Sequence, residues 1–435
     1  MGSWEWATWE PSADTALTRN DRRSGRYRRY LPSPLEDLAI PFDAELSRAL
    51  ADAEAAARAL SGRDADSLAS IARFLLRSEA IASSQIEGLA PSPQQVALAE
   101  LGAQESVRGV SDQAQLVANN MTVVRRATTD LVSAPEVSLE HIIALQAALL
   151  PGEPRHHGLR QVQNWIGGSN RHPLDADFVP PPFEQVPQLM ADLVSYLNGA
   201  AHAPIVQAAL VHAQFETIHP FVDGNGRVGR ALIHTVLTRR GLTPTAVLPV
   251  SLVLATLRET YVTGLTRFRY EGSHSDPRVL GGVRDWIVTF ASACRLAAEQ
   301  ASDLAQRIGL LEEEWTDRLT SHRGSQGVRP RPRADSATAR LLHSLPEAPV
   351  VTARTLQRIL GVSFNAAAAA LDELRNAGVL QTKAIERGTT AYIATEVLDL
   401  ITVAERRLAS TAFDTRSSTP NRPVAALPDR SPHDD

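Results

Sequence analysis

Two helical patterns meet across a stretch that no helix can absorb. Pro204–Ile218 carries Ile205, Ala209, Val211, Phe215 and Ile218 at helical spacing, and a second pattern starts near Arg227 and runs ALIHTVLTRR. Joining them, residues 219–230 read HPFVDGNGRVGR. Pro220 disfavours helix at His219, so Phe221–Gly226 is expected as a loop feeding a helix N-terminus. Glycines there let backbone N–H groups turn toward one point, and the helix end adds partial positive charge. Arg227 and Arg230, three apart, project from one face of the first turn. Such a cradle suits a polyphosphate. Asp223 faces the same mouth and would be repelled by phosphate without a divalent cation between them. Magnesium, a hard ion that takes few carboxylates and several waters, fits that role. His219, at the other rim, has an ordinary pKa of about 6.5 and can accept a proton at neutral pH.

Taken singly, each residue also has a plain role, because a GNG turn caps a helix and a histidine can simply pack. The joint arrangement points to a nucleotide. It is neither a P-loop, which needs GxxxxGK[ST], nor a GxGxxG after a strand. His212 and His234 lie inside helical patterns and read as packing or surface residues. His156 and His157 have no spacing that supports zinc.

The rest of the chain sets the bounds. Its 435 residues allow two or three domains, and 43% hydrophobic with 21% charged residues is ordinary globular composition. A net charge of -5 argues against a protein that coats nucleic acid generally. One cysteine, Cys294, excludes an internal disulfide and a Cys-based metal cage. The first residues lack a secretory apolar run, and no stretch approaches the roughly 20 apolar residues of a membrane span. The expected location is the cytoplasm, with no membrane partner. Helical patterns are expected over 42–82 (Leu60, Leu68, Ile71 and Leu75 on recurring faces) and near 93–102, 109–131, 138–150, 183–198, 203–218, 227–240, 251–268 and 280–316. The stretch WIGGSNRHPLDADFVPPP, 165–182, reads as a small hairpin.

HPFVDGNGRVGR resembles the Fic motif, HPFx[D/E]GNGRxxR, with every fixed position filled. The likeness extends over roughly residues 26–295: SGRYRRYLPSPL is similar to the N-terminal region of many Fic proteins, WIGG…DFVPPP to their flap hairpin, and YVTGLTRFRYEG…DWIVTF to the helices after the motif. This resemblance implies transfer of AMP from ATP to a Tyr, Thr or Ser hydroxyl of a target protein. His219 would be the general base, and Asp223 would hold magnesium against the phosphates. Gly224, Asn225, Gly226, Arg227 and Gly229 would line the anion hole, with Arg230 on the γ-phosphate. Tyr261 would lie near the adenine, and Ile166 and Val179 would clamp a target segment added along the flap edge.

SSQIEGL, 83–89, puts Ser83 and Glu87 on one helix face, with Gly88 as the stop before Pro91. It matches the inhibitory [S/T]xxxE[G/N] motif of Fic proteins, which implies that Glu87 pairs with Arg230 in place of the γ-phosphate. The same glutamate leaves AMP removal open, and a few relatives use CDP-choline or UTP. Self-modification and a homodimer are further partner expectations.

VTARTLQRILG, SFNAAAAALDELRNAGVL and QTKAIERGTTAYIA resemble a winged helix, so DNA is a candidate partner. Residues 334–401 hold six Arg/Lys against seven Asp/Glu, a net of 6 − 7 = -1, which equips the module poorly for phosphate neutralisation. The expected fold is mainly α: a Fic-type helical core with a small β-hairpin flap, plus a C-terminal winged helix-turn-helix domain. Its divisions are a flexible arm over 1–30, a helical region with the inhibitory helix over 31–105, the catalytic core over 106–316, a linker over 317–335, the winged helix over 336–402, and a helix end with a disordered tail over 403–435. A self-inhibited adenylyltransferase is the leading reading. A DNA-binding transcriptional regulator with a nucleotide-sensing Fic fold is the alternative.

Overall fold

The computed structural model describes residues 2–11, 22–35, 38, 40, 42–61, 71–103, 105, 107–273 and 276–412. The expected disordered tail from 413 onward and Leu68 lie outside the described residues. The elements in chain order are β1 (Ser3–Trp9), β2 (Gly25–Leu31), α1 (Ala44–Ser61), α2 (Ala72–Ile86), α3 (Pro93–Gly102), α4 (Asp112–Ser133), α5 (Leu139–Leu149), α6 (Val186–Asn198), α7 (Pro204–Ile218), α8 (Asn225–Arg239), α9 (Val250–Thr256), α10 (Arg258–Phe268) and α11 (Pro277–Ser325). After α11 come α12 (Ala337–Ser344), β3 (Val350–Val351), α13 (Ala353–Leu360), α14 (Phe364–Asn376), β4 (Gln381–Glu386), β5 (Thr389–Ile393) and α15 (Thr395–Ala412).

Helix starts follow capping chemistry. Ser92, Ser111, Ser138, Ser336 and Ser363 each accept a backbone N–H of the first turn, as Thr352 does for α13. The centre of the core is α7 packed on α8, and every residue of α7 from Ile205 to Ile218 is buried. A helix buried on every face has to sit inside other elements. Here α4 and α5 close one side of α8, α2 lies against α4 and α9, and α11 covers α1, α7 and α10. This central placement sets the 219–230 stretch between two buried helix ends.

Four expectations need correction. The first 30 residues hold an antiparallel ribbon of β1 on β2 in the register Trp6↔Arg28. The arginine run looks polar, yet the Arg26 guanidinium lies over the Trp6 ring and Arg28 over Trp4, so the charges cover aromatic faces. The flap is thinner than a hairpin: Ile166 and Phe178 form one isolated bridge, and a single 3-10 turn covers Pro173–Asp175. The 251–268 pattern breaks at Leu257 into α9 and α10. Finally, α11, 49 residues long, runs on to Ser325 within the stretch expected as linker, and Trp315 and Leu319 near its end are buried.

The elements after α11 are four helices and a three-stranded antiparallel sheet in the order β3-β5-β4. They are tied to the helical core by named polar contacts. Trp315 Nε1 and Arg318 donate to Glu396, Arg77 Nη2 donates to the Glu347 carbonyl (3.1 Å), and Thr352 Oγ1 donates to Glu105 (2.6 Å).

Candidate active site

His219 leaves α7 in the left-handed region (φ 49, ψ 59), the only non-glycine with positive φ among the described residues. Such a conformation costs roughly 1–2 kcal/mol and persists only where its surroundings over-determine it. Those surroundings are visible. The His219 carbonyl accepts Arg160 Nε (2.9 Å) and Asn164 Nδ2 (3.2 Å). The Arg160 amide donates to the Pro220 carbonyl (2.9 Å), and its Nη2 donates to the Pro181 carbonyl (2.6 Å). Arg160 thus ties the motif to the far leg of the flap, and no local pattern in the sequence marks it.

The loop that follows is braced from inside. Asn225 Oδ1 accepts the Phe221 amide (2.8 Å) and its Nδ2 donates to the Phe221 carbonyl (2.9 Å). Its side chain therefore holds the loop shape instead of facing an anion, a correction to its expected place among the anion donors. Gly224 starts α8 at φ 88, where a Cβ would lie 2.7 Å from Leu149. A Cβ on Gly226 would lie 1.9 Å from Glu87 Oε1, so that position must be glycine for the glutamate to sit where it does.

Arg227 is buried with only a long contact to Asp223 (Nη2–Oδ1, 3.4 Å). Its Nε and Nη1 are buried and have no hydrogen-bond partner. Leaving such charged donors bare is costly, and an oxyanion would satisfy them. Asp223 is more than half exposed at the mouth. Among the described residues no group of three or more His, Cys, Asp or Glu could hold a metal by itself. One carboxylate fits an ion whose other ligands are phosphate oxygens and water.

Above this cradle sits the end of α2. Arg230, fully buried, donates from Nε to Ser83 Oγ (3.0 Å) and from Nη2 to the Ser83 carbonyl and Glu87 Oε1 (2.7 Å each). Burial works against the Glu87 carboxylate, but Arg230 and then Arg227 outweigh it and hold Glu87 below the usual carboxylate range. The helix stops there because Gly88 adopts φ 82 and Leu89 turns its amide back to the Ser84 carbonyl. Asn120 of α4 pins the same turn through the Ala80 carbonyl and Ser84 Oγ. Ser83 and Glu87, which share a helix face, both contact Arg230.

Burial pushes the His219 ring down to about 4 despite the nearby Glu87 carboxylate, and Arg160 and Arg269 push the same way. At neutral pH it is a free base. His156 and His157 are engaged elsewhere, with Glu153 and the Leu150 carbonyl. His212 and His234 are both buried. Tyr261 is not a base platform: it is buried between His212 and Trp286, with its hydroxyl on His212 Nε2 (2.9 Å). Val179 is also buried, and its carbonyl accepts the Tyr30 amide (2.9 Å), so β2 already occupies that side of the flap. Ile166, half-buried, remains at the opposite leg. Gly167 and Gly168 make the sharp turn there; a Cβ on either would meet Asp177 or the Asp175 carbonyl at 2.0 and 2.3 Å.

Residues 136–237 match the Fic/DOC family model. This span is similar to a Fic domain. That span holds the flap, α7, the 219–230 loop and most of α8. Over 85 residues the chain is 40% identical to a probable protein adenylyltransferase of Aquifex aeolicus, covering 19% of this chain and 27% of that protein. Over 153 residues it is 31% identical to the protein adenylyltransferase fic-1 of Caenorhabditis briggsae, covering 33% of this chain and 28% of the relative. The matches therefore span little more than a quarter of those relatives' length. A Fic family protein from Desulfovibrio desulfuricans shares the fold across 81% of this chain and 97% of its own, with a TM-score of 0.50 and 20% identity. The Fic domain is thus one part of a larger helical arrangement that the solved protein shares. No described helix is long and apolar enough to cross a membrane.

Proposed function

We propose that the Fic domain transfers AMP from ATP to a Tyr, Thr or Ser hydroxyl of a target protein and that Glu87 restrains it. The supporting observation is the pairing of a neutral, strained His219 with the bare, buried guanidinium donors of Arg227 across a glycine-rich helix start. His219 Nε2 takes the proton of the incoming hydroxyl as its oxygen bonds to the α-phosphorus, and the α–β bridging bond breaks to release pyrophosphate. The amides at Gly224–Gly226 and the Arg227 guanidinium meet the phosphate oxygens, where charge develops. Asp223 is the residue that would hold magnesium, whose chemistry here is neutralisation of phosphate charge. Ile166 is the flap residue left to contact a target segment. Residues 336–402 are read as a winged helix appended to the enzyme.

Arg230 is the γ-phosphate residue in this reading, and Glu87 occupies it. ATP bound against that pair holds its α-phosphate out of line with the attacking oxygen, and alignment dominates such transfers. Glu87→Gly should raise incorporation of label from α-labelled ATP into the protein at least several-fold, with magnesium present. γ-Labelled ATP should leave no label, which separates nucleotide transfer from phosphoryl transfer. An unchanged α-label rate would remove the restraint, and label from the γ position would overturn the reaction class.

A further inference from the structure

Glu216 lies in the last turn of α7, three residues before His219, where the helix ends. It is 6% exposed, its Oε1 is buried without a hydrogen-bond partner, and its Oε2 lies 3.9 Å from His219 Nδ1. Nδ1 of His219 likewise makes no hydrogen bond of proper geometry, although the Glu216 main-chain carbonyl also favours a charged ring. A buried carboxylate with a bare oxygen destabilises a fold. Gly229 of α8 makes the space for it, since a Cβ there would meet Glu216 Oε1 at 2.9 Å.

Given the transfer reaction proposed above, we propose that the Glu216 carboxylate is the positioning residue for His219. It faces Nδ1–H, keeps Nε2 as the free acceptor aimed at the target hydroxyl, and stabilises the imidazolium formed when that proton arrives. The proton stays on the ring; no second transfer is needed. An acid–base pair of this kind is often long in the resting site and tightens as charge develops. A carboxylate that orients an imidazole in this manner has a large effect without changing substrate binding.

The groups around Glu216 are His212 on its own helix, His219 just past that helix's end, Arg230 on α8, Glu87 at the end of α2, Tyr261 on α10 and Arg269 just after α10. Burial, with Glu87 acting the same way, lifts the Glu216 carboxyl to about 7, while Arg230 and Arg269 oppose the rise. The His219 ring sits near 4, so loss of activity on acidification toward neutral reports Glu216 and not the base. Removing Glu87 takes away one of the raising charges and moves that limb to lower pH.

The test uses the full chain with Glu87→Gly as the parent. Glu216→Gln should lower kcat by about tenfold or more with KM for ATP within about twofold, flatten the acid limb of the pH profile, and leave thermal stability equal or higher. Glu216→Asp should recover part of kcat and the limb. A Glu216→Gln protein with parental kcat and an unchanged limb overturns the proposal. So does a fall in kcat with the limb intact. A readout independent of turnover is NMR of the His219 ring, neutral above a pKa of about 4, whose shifts should report the Glu216 carboxyl ionising at about 7 in the parent and show no such step in Glu216→Gln. If the parent itself transfers no label, the transfer reading fails, yet the ring shifts still decide whether the carboxylate acts on the ring; a parent ring that shows no step, or a step that persists in Glu216→Gln, overturns the assignment.

Discussion

His219→Ala in the Glu87→Gly chain is expected to abolish detectable transfer from ATP while nucleotide binding persists. A positioned base contributes ~10²–10⁴-fold, and among the described residues no second imidazole is poised to substitute. His212 points to Tyr261, His234 to Glu79 and His157 to the Leu150 carbonyl. Binding should survive because the donors proposed for phosphate belong to other residues, namely Arg227, Arg230 and the amides of 224–226. An alanine in place of His219 would inherit the left-handed backbone at φ 49, which any residue with a Cβ finds costly. His219→Gly removes the imidazole without that cost and should be equally inactive. Turnover in either variant within about tenfold of the parent would remove His219 from the chemistry, and loss of ATP affinity alongside turnover would assign it to binding.

The largest effect on stability should come from a residue outside the motif. Glu79 on α2 is fully buried. Its carboxylate accepts His234 Nε2 of α8 (2.8 Å) and both the amide (2.8 Å) and hydroxyl (2.5 Å) of Ser251 on α9. Three helices meet on one side chain. Glu79→Ala would leave an amide, an imidazole and a hydroxyl bare inside the core, and breaking a buried polar pair from one side costs about 3–5 kcal/mol. Denaturant unfolding should register most of that loss, and Glu79→Gln, which keeps one acceptor oxygen, should lose less. If Glu79→Ala unfolds at the parental midpoint, the cluster contributes no net stability. Because the same helix ends at Glu87, a loosened α2 should also raise basal label incorporation in the chain with Glu87 intact.

Much of the site can be read along the chain because its parts are close in sequence. Pro220 announces the break at His219, the glycines announce the turn, and i,i+3 or i,i+4 spacing places Arg227 with Arg230 and Ser83 with Glu87 on shared faces. Asn225 misleads, since its residue type suits an anion hole as well as a loop brace, and only the Phe221 contacts distinguish them. Tyr261 and Val179 mislead for a related reason: an aromatic or branched residue at periodic spacing looks the same whether it lines a pocket or fills a core. Glu216 carries a legible signal, three residues before the histidine, but its significance depends on burial. Arg160 and Glu79 carry none.

Sequence alone determined the local chemistry of this protein: where helices start and stop, where a backbone nest forms, and which ionisable side chains attend it. Each follows from sterics and hydrogen bonding within a few residues. Tertiary structure decided which distant groups share a low-dielectric interior. It brought Glu87 to Arg230 across 143 residues of chain, set Arg160 behind the strained His219, and buried Glu216 beside it. Charge interactions depend on separation in space and on exclusion of water, and neither quantity is written in the order of residues.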